Sequence, residues 1–148
     1  MSLIGEHSFK DYCASNARAG IAYPGSVPGP ATFLHFPITD FDVPAQEELE
    51  ALVLELKRRS LNGECIFVHC RGGHGRTGTV VIPLIAALFD VDNTIAQPFV
   101  EKATLRTRAS DRFLSERYGY AIEMPETNEQ RSLLDAVNSR VRLNSRRR

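Results

Sequence analysis

An α/β domain, with helices flanking a central and mostly parallel sheet, is the architecture this 148-residue sequence predicts. Two observations predict it. Short apolar runs bounded by turn residues, at 32–38 and 65–68, alternate with longer segments whose apolar residues recur at helical spacing. The second run then passes through a glycine-rich turn into a continuously apolar stretch, Val80 to Phe89, as expected of a helix buried at the centre of a domain.

Taken in order, residues 1–30 are expected to be irregular, because 20–30 hold three prolines and three glycines. Thr32 to Ile38 reads as a short strand ending near Pro37. Pro44 suits the first turn of a helix, where its missing N–H is no loss. Leu49, Leu52, Val53 and Leu56 mark one apolar face of that helix. Glu47, Glu48 and Glu50 lie early in it and Lys57, Arg58 and Arg59 late, matching the helix dipole. Asn62-Gly63 stops it, and Cys65-Ile66-Phe67-Val68 reads as a buried strand. After the central helix, Asp92 or Asn93 caps a further helix through Arg106, broken or bent near Pro98. A short helix is expected within 110–119, and a last one from Glu126 to Arg142, with Leu133, Leu134 and Val137 facing inward.

Composition narrows the function classes. The chain has 43% hydrophobic and 24% charged residues, ordinary for one globular domain, which excludes a disordered or fibrous chain. The stretch 80–89 is too short to span a bilayer, and residues 1–7 lack the basic and apolar regions of a signal peptide. Cys13, Cys65 and Cys70 form a sparse, odd set, which fits a reducing, cytoplasmic compartment better than a disulfide scaffold. Cys65 is expected in the core, where it is also a candidate disulfide partner for an oxidised Cys70. Net charge is zero, but basic residues gather towards the end: Arg140, Arg142, Arg146, Arg147 and Arg148 form a tail over 140–148. That tail is read as solvated, with weak contact to anionic surfaces as the sharper alternative. No aromatic residues interleave it, so nucleic acid is not an expected partner.

The chemistry is carried by Cys70-Arg71-Gly72-Gly73-His74-Gly75-Arg76-Thr77-Gly78. Strand, glycine-rich turn and helix together make an anion-binding arrangement. Backbone N–H groups of the turn converge, and the helix start adds its positive end. This is no nucleotide-binding loop, since Arg76 stands where a lysine is required. Cys70 at the mouth of such a nest is instead placed to ionise and to attack phosphorus. Arg76 offers a planar fork for two phosphoryl oxygens, and Thr77 can donate to the cysteine sulfur. Residues 71–75 supply mainly N–H groups, with the side chains of Arg71 and His74 facing either the substrate or solvent.

His69-Cys70, five residues, then Arg76-Thr77 resembles the signature of the cysteine-dependent protein tyrosine phosphatase superfamily, and its small dual-specificity branch most of all. The resemblance implies one phosphatase-like catalytic domain over 1–148, with its phosphate-binding loop between a central strand and a helix. Such domains carry two or more strands before the acid loop, so the N-terminal side of this sheet is expected to be trimmed. Phe36 to Pro44 looks like the family's general-acid loop, with Asp40 the favoured acid and Asp42 the alternative or a helix cap. Met124 to Gln130 resembles the segment that positions the hydrolytic water, which makes Glu126 and Gln130 candidates. The resemblance implies Cys70, Arg76, Asp40, Thr77 and His69 as catalytic residues, His69 orienting the loop. Arg71, Gly72, Gly73, His74, Gly75 and Arg76 would bind substrate, with no metal or other cofactor. A phosphomonoester hydrolase working through a phosphocysteine is then expected, with a phosphorylated protein or another phosphomonoester as partner. A catalytically weak phosphate-recognition module, or a phosphoinositide or polyanion phosphatase, remains the alternative.

Overall fold

The computed structural model of the chain describes residues 1–18, 25, 31–107, 114–117, 119 and 121–145. Its elements are β1 (Ser2–Ile4), α1 (Glu6–Arg18), β2 (His35–Ile38), α2 (Gln46–Leu61), α3 (Gly75–Phe89), α4 (Asn93–Thr107) and α5 (Asn128–Ser145). The architecture is mixed α/β with a small parallel sheet. β1 and β2 pair in parallel, Ser2 opposite His35 and Ile4 opposite Ile38. On its other side β1 meets the segment before the glycine-rich turn. Leu3 N–H donates to the His69 carbonyl at 2.8 Å and His69 N–H to the Met1 carbonyl at 3.1 Å.

Two expectations are corrected here. The first 30 residues are not uniformly irregular: they hold β1, the middle of this arrangement, and α1. Most of 20–30 lies outside the described residues. The segment Cys65 to Val68 is not a buried strand. It joins the sheet only through a bridge between His69 and Ser2. Ile66 and Val68 pack on the core, while Cys65 and Phe67 point outward, Phe67 being 74% exposed. The segment is thus covered on one side only, and the alternation of a half-buried strand follows.

α2 begins at Gln46, two residues later than a Pro44 start requires, with Ala45 as its cap, so neither Asp42 nor Pro44 caps or opens the helix. It ends where Asn62 N–H meets the carbonyls of Arg58 and Arg59 and Gly63 turns at φ +84°, a left-handed conformation that suits glycine. α3 packs on α2, α4 and α5, which is why it is apolar all round. One core cluster joins Leu3, Ile38, Leu49, Val53, Val80 and Val137; a second joins Ile82, Ala96, Val100, Met124 and Leu134. α3 contributes to both. A Cβ added at Gly78 would lie 3.1 Å from Met124 Cβ and 3.2 Å from Pro125 N, so glycine lets the loop that carries Glu126 rest on α3.

α4 runs through Pro98 as one helix rather than breaking there. Residues 114–117 are helical and Gly119 is not, while 110–113 and 118, the rest of the helix expected within 110–119, are outside the described residues. α5 starts at Asn128, two residues after the expected Glu126, and continues to Ser145. The expected tail from 140 is therefore helical as far as Ser145, and Arg140 sits 3.8 Å from Glu47 and 3.7 Å from Glu50 of α2. Arg146 to Arg148 lie outside the described residues. Among the described residues no single helix is long and apolar enough to cross a membrane.

Candidate active site

Cys70 ends the extended segment and α3 starts five residues later, so residues 71–74 must curl tightly between them. Gly73 makes this possible with φ +84°. The curl aims donors at the sulfur: Gly73 N–H donates to Cys70 Sγ at 3.0 Å and the Thr77 hydroxyl at 3.2 Å. The sulfur also faces the start of α3, and Cys70 is only 6% exposed. Gly75 is buried at the helix start, Gly73 and His74 are half-buried, and Arg71 and Gly72 form the exposed rim.

Arg76, on the first turn of α3, is 5% exposed and reaches away from its helix to the acid loop. Its Nη2 lies 2.7 Å from Asp40 Oδ1, and its Nη1 donates to the Ile38 carbonyl at 3.4 Å. Asp40 is more than half exposed, at 58%. The loop turns sharply: Asp42 N–H donates to the Thr39 carbonyl at 3.1 Å, and Phe41 adopts φ +61°. The Asp42 carboxylate is turned onto its own backbone, accepting from Val43 N–H at 2.8 Å. Of the two acid candidates, Asp40 is the one whose carboxylate meets Arg76 among the described residues.

His69 places Nδ1 3.1 Å from the Cys70 carbonyl, within reach to orient the loop's first peptide. Its ring lies 5.6 Å from that of Phe67 and 6.0 Å from that of Tyr12. Burial lowers its pKa from the ordinary 6.5, partly offset by the Cys70 carbonyl and aided slightly by the N-terminal ammonium.

The segment before α5 closes the site. Glu126 Oε2 accepts from Gly75 N–H at 3.1 Å, so this carboxylate sits on the glycine-rich turn. Gln130 is fully buried. Its Oε1 accepts from the N–H groups of Glu126 at 3.1 Å and Thr127 at 3.3 Å, and its Nε2 donates to the Asp42 carbonyl at 3.1 Å. Thr127 Oγ1 in turn accepts Gln130 N–H at 3.1 Å. This reciprocal pair is a capping box, and Thr127-Asn128-Glu129-Gln130 is its sequence signal. Cys65, expected in the core, is instead exposed, and the thiols of Cys13, Cys65 and Cys70 are all free.

The structure thus gathers Cys70, Arg76, Asp40, Thr77, Glu126 and Gln130 around one turn. The chain is 40% identical over 75 residues to an uncharacterized protein of Methanocaldococcus jannaschii, a stretch covering 51% of this chain and 48% of that relative. The match therefore spans about half the relative's length. The fold is shared with crystal structures of Tk-PTP. A mutant form has a TM-score of 0.63 at 22% identity, covering 96% of this chain and 77% of that one. The active form has a TM-score of 0.57 at 22% identity, covering 94% and 76%. Residues 25–132, most of the chain, match the family described as "Swiss Army Knife protein, DSP-PTPase phosphatase domain". By that match and by the cysteine-centred turn it contains, the chain belongs to this phosphatase-domain family.

Proposed function

We propose that the chain hydrolyses phosphomonoesters by the cysteine-dependent route, without a metal, on phosphorylated proteins or similar phosphomonoesters. The observation that carries this reading is the Cys70 sulfur, held by Gly73 N–H and the Thr77 hydroxyl at the start of α3. A sulfur so placed is a stabilised nucleophile facing a site made for phosphate. In the first step the Cys70 thiolate attacks phosphorus, an S–P bond forms and the P–O bond to the leaving group breaks. Asp40 gives its proton to the departing oxygen.

Two contacts within the site suggest how substrate would arm it. Asp40 lies on Arg76, and Glu126 on Gly75 N–H. A phosphoryl group needs both donors, so its binding releases both carboxylates. Asp40 is then left at the leaving-group side and Glu126 where it can accept from a water. In the second step water attacks phosphorus, the S–P bond breaks, the thiolate is restored and Asp40 takes the water's proton. Arg76 and the turn's N–H groups stabilise the equatorial oxygens in both steps.

Cys70→Ser is the test. The variant is expected to lose turnover of an aryl phosphate while still binding vanadate, because the N–H nest and Arg76 survive. Wild-type turnover should be unchanged by EDTA. Substantial activity in Cys70→Ser would reject the covalent route. An inactive wild type that binds phosphorylated ligands would instead favour a recognition module.

A further inference from the structure

We propose that Gln130 is a positioning residue whose amide braces the acid loop against the segment carrying Glu126, so that one side chain sets the geometry of Asp40. The proposal rests on the cysteine-dependent reading above.

The amide's oxygen and nitrogen do different work. Oε1 accepts from Glu126 N–H and Thr127 N–H, which completes the cap of α5. Both lone pairs of that oxygen are thereby committed, so the atom that would accept from a hydrolytic water is occupied. The water-positioning role expected of Gln130 passes to Glu126, whose carboxylate lies on the turn itself. Nε2 contributes nothing to the cap. It donates across 88 residues to the Asp42 carbonyl. A glutamate would complete the same capping box equally well. An ionised carboxylate accepts but cannot donate, so it could cap α5 without holding the acid loop, whereas the amide does both.

What it holds there is a conformation that would not hold itself. Phe41, between Asp40 and Asp42, sits at φ +61°, a region that disfavours aromatic side chains. The turn is closed at its end by Asp42 N–H on the Thr39 carbonyl, and Gln130 grips the same residue by its own carbonyl. Gln130 is fully buried, so the donor side of this grip is held away from water, while Asp42 lies at the surface. The chain of contacts then runs from Asp42 through Gln130 to Glu126, and from Glu126 to Gly75 N–H at the phosphate turn.

Gln130→Glu separates the two jobs: it keeps the acceptor for the cap and removes the donor to Asp42. Expected is a fall of about fivefold to tenfold in rate for aryl phosphates with poor leaving groups, the scale of one lost buried hydrogen bond. An activated aryl phosphate should lose less than about twofold, because its oxygen leaves without an acid. The leaving-group dependence therefore steepens, and the limb of the pH–rate profile that reports the protonated acid weakens. An equal loss for every substrate, or none, would overturn the proposal. Gln130→Met, which removes both functions, should show the same steepening together with a lower Tm. Should that variant not fold, the glutamate variant decides alone.

Amide hydrogen exchange on the full chain separates failure of the brace from failure of the reaction. In Gln130→Glu, exchange should quicken about fivefold or more in 39–43 and stay unchanged in the first turn of α5. That outcome is independent of catalysis. Unchanged exchange in 39–43 rejects the brace, whereas activity in Cys70→Ser rejects the underlying reaction and leaves the exchange result standing.

Discussion

Arg76 and Asp40 hold each other at 2.7 Å, so on the proposed reading the acid would compete with a phosphoryl group for the same guanidinium. Because Asp40 is 58% exposed, water screens the pair and its strength is that of a surface contact. Removing the charge should make vanadate bind tighter by roughly two- to fivefold in Asp40→Asn, the range such contacts span. The same variant should lose roughly 10²–10⁴ in rate for a poor leaving group and much less for an activated aryl phosphate. Asp42→Asn should change neither, since its carboxylate accepts from Val43 N–H and its backbone carbonyl, not its side chain, meets Gln130. Vanadate titration and a series of aryl phosphates check both variants; the steep dependence appearing in Asp42→Asn would reverse the assignment. His69 gives a different prediction. Its pKa is lowered in the folded chain by burial against neighbouring rings, so the folded state resists the proton that the unfolded state takes up near 6.5. Stability contributed by neutral His69 is present above that pH and is lost as pH falls below it. The Tm of His69→Gln should therefore fall less between pH 7 and pH 5 than that of the wild type; equal slopes would remove His69 as the cause.

Elements differ in how clearly the sequence announces them, and the difference is physical. α2 and α3 are long and their patterns repeat over several turns, so both were readable: the inward residues Leu49, Leu52, Val53 and Leu56 are buried, as is most of α3. The anion-binding turn was readable because glycine and cysteine in that order have few structural uses. β1 was not, since three residues give no period to detect. Its identity as a strand comes from partners far along the chain, β2 on one side and His69 on the other. The segment 65–68 misled for the opposite reason. An apolar run looks the same whether one face or both are covered, and here Phe67 and Cys65 face outward. Around the site, Cys70 and Arg76 could be named from the glycine-rich turn itself, and Asp40 from the resemblance of its loop to a family pattern. The link between Gln130 and the Asp42 carbonyl could not, because a contact spanning 88 residues leaves no local signal. Only its other half, the Thr127–Gln130 capping box, is written in neighbouring residues.

At the scale of the whole molecule, the short strand that was hardest to foresee is the one the sheet depends on. β1 lies between β2, which delivers the acid loop, and the segment that delivers Cys70, so it spaces the two halves of the site. Leu3 anchors it: the residue is fully buried in the cluster shared with Ile38, Val53, Val80 and Val137, and its N–H donates to the His69 carbonyl. Leu3→Ala leaves that backbone bond in place but opens a cavity, a change costing about 2–5 kcal/mol. For a domain of this size the Tm should fall by about 5–15 °C. Vanadate binds only the folded site, so at a hundredfold excess over Kd it should restore about 2.7 kcal/mol of that loss. Turnover per folded molecule, measured well below the lowered Tm, should stay within about twofold of wild type, because no donor in the site is removed. A Tm unchanged by Leu3→Ala would show that β1 is not part of the core. A large loss of turnover in fully folded protein would show that β1 does more than stabilise, and sets the position of Cys70 through the His69 backbone.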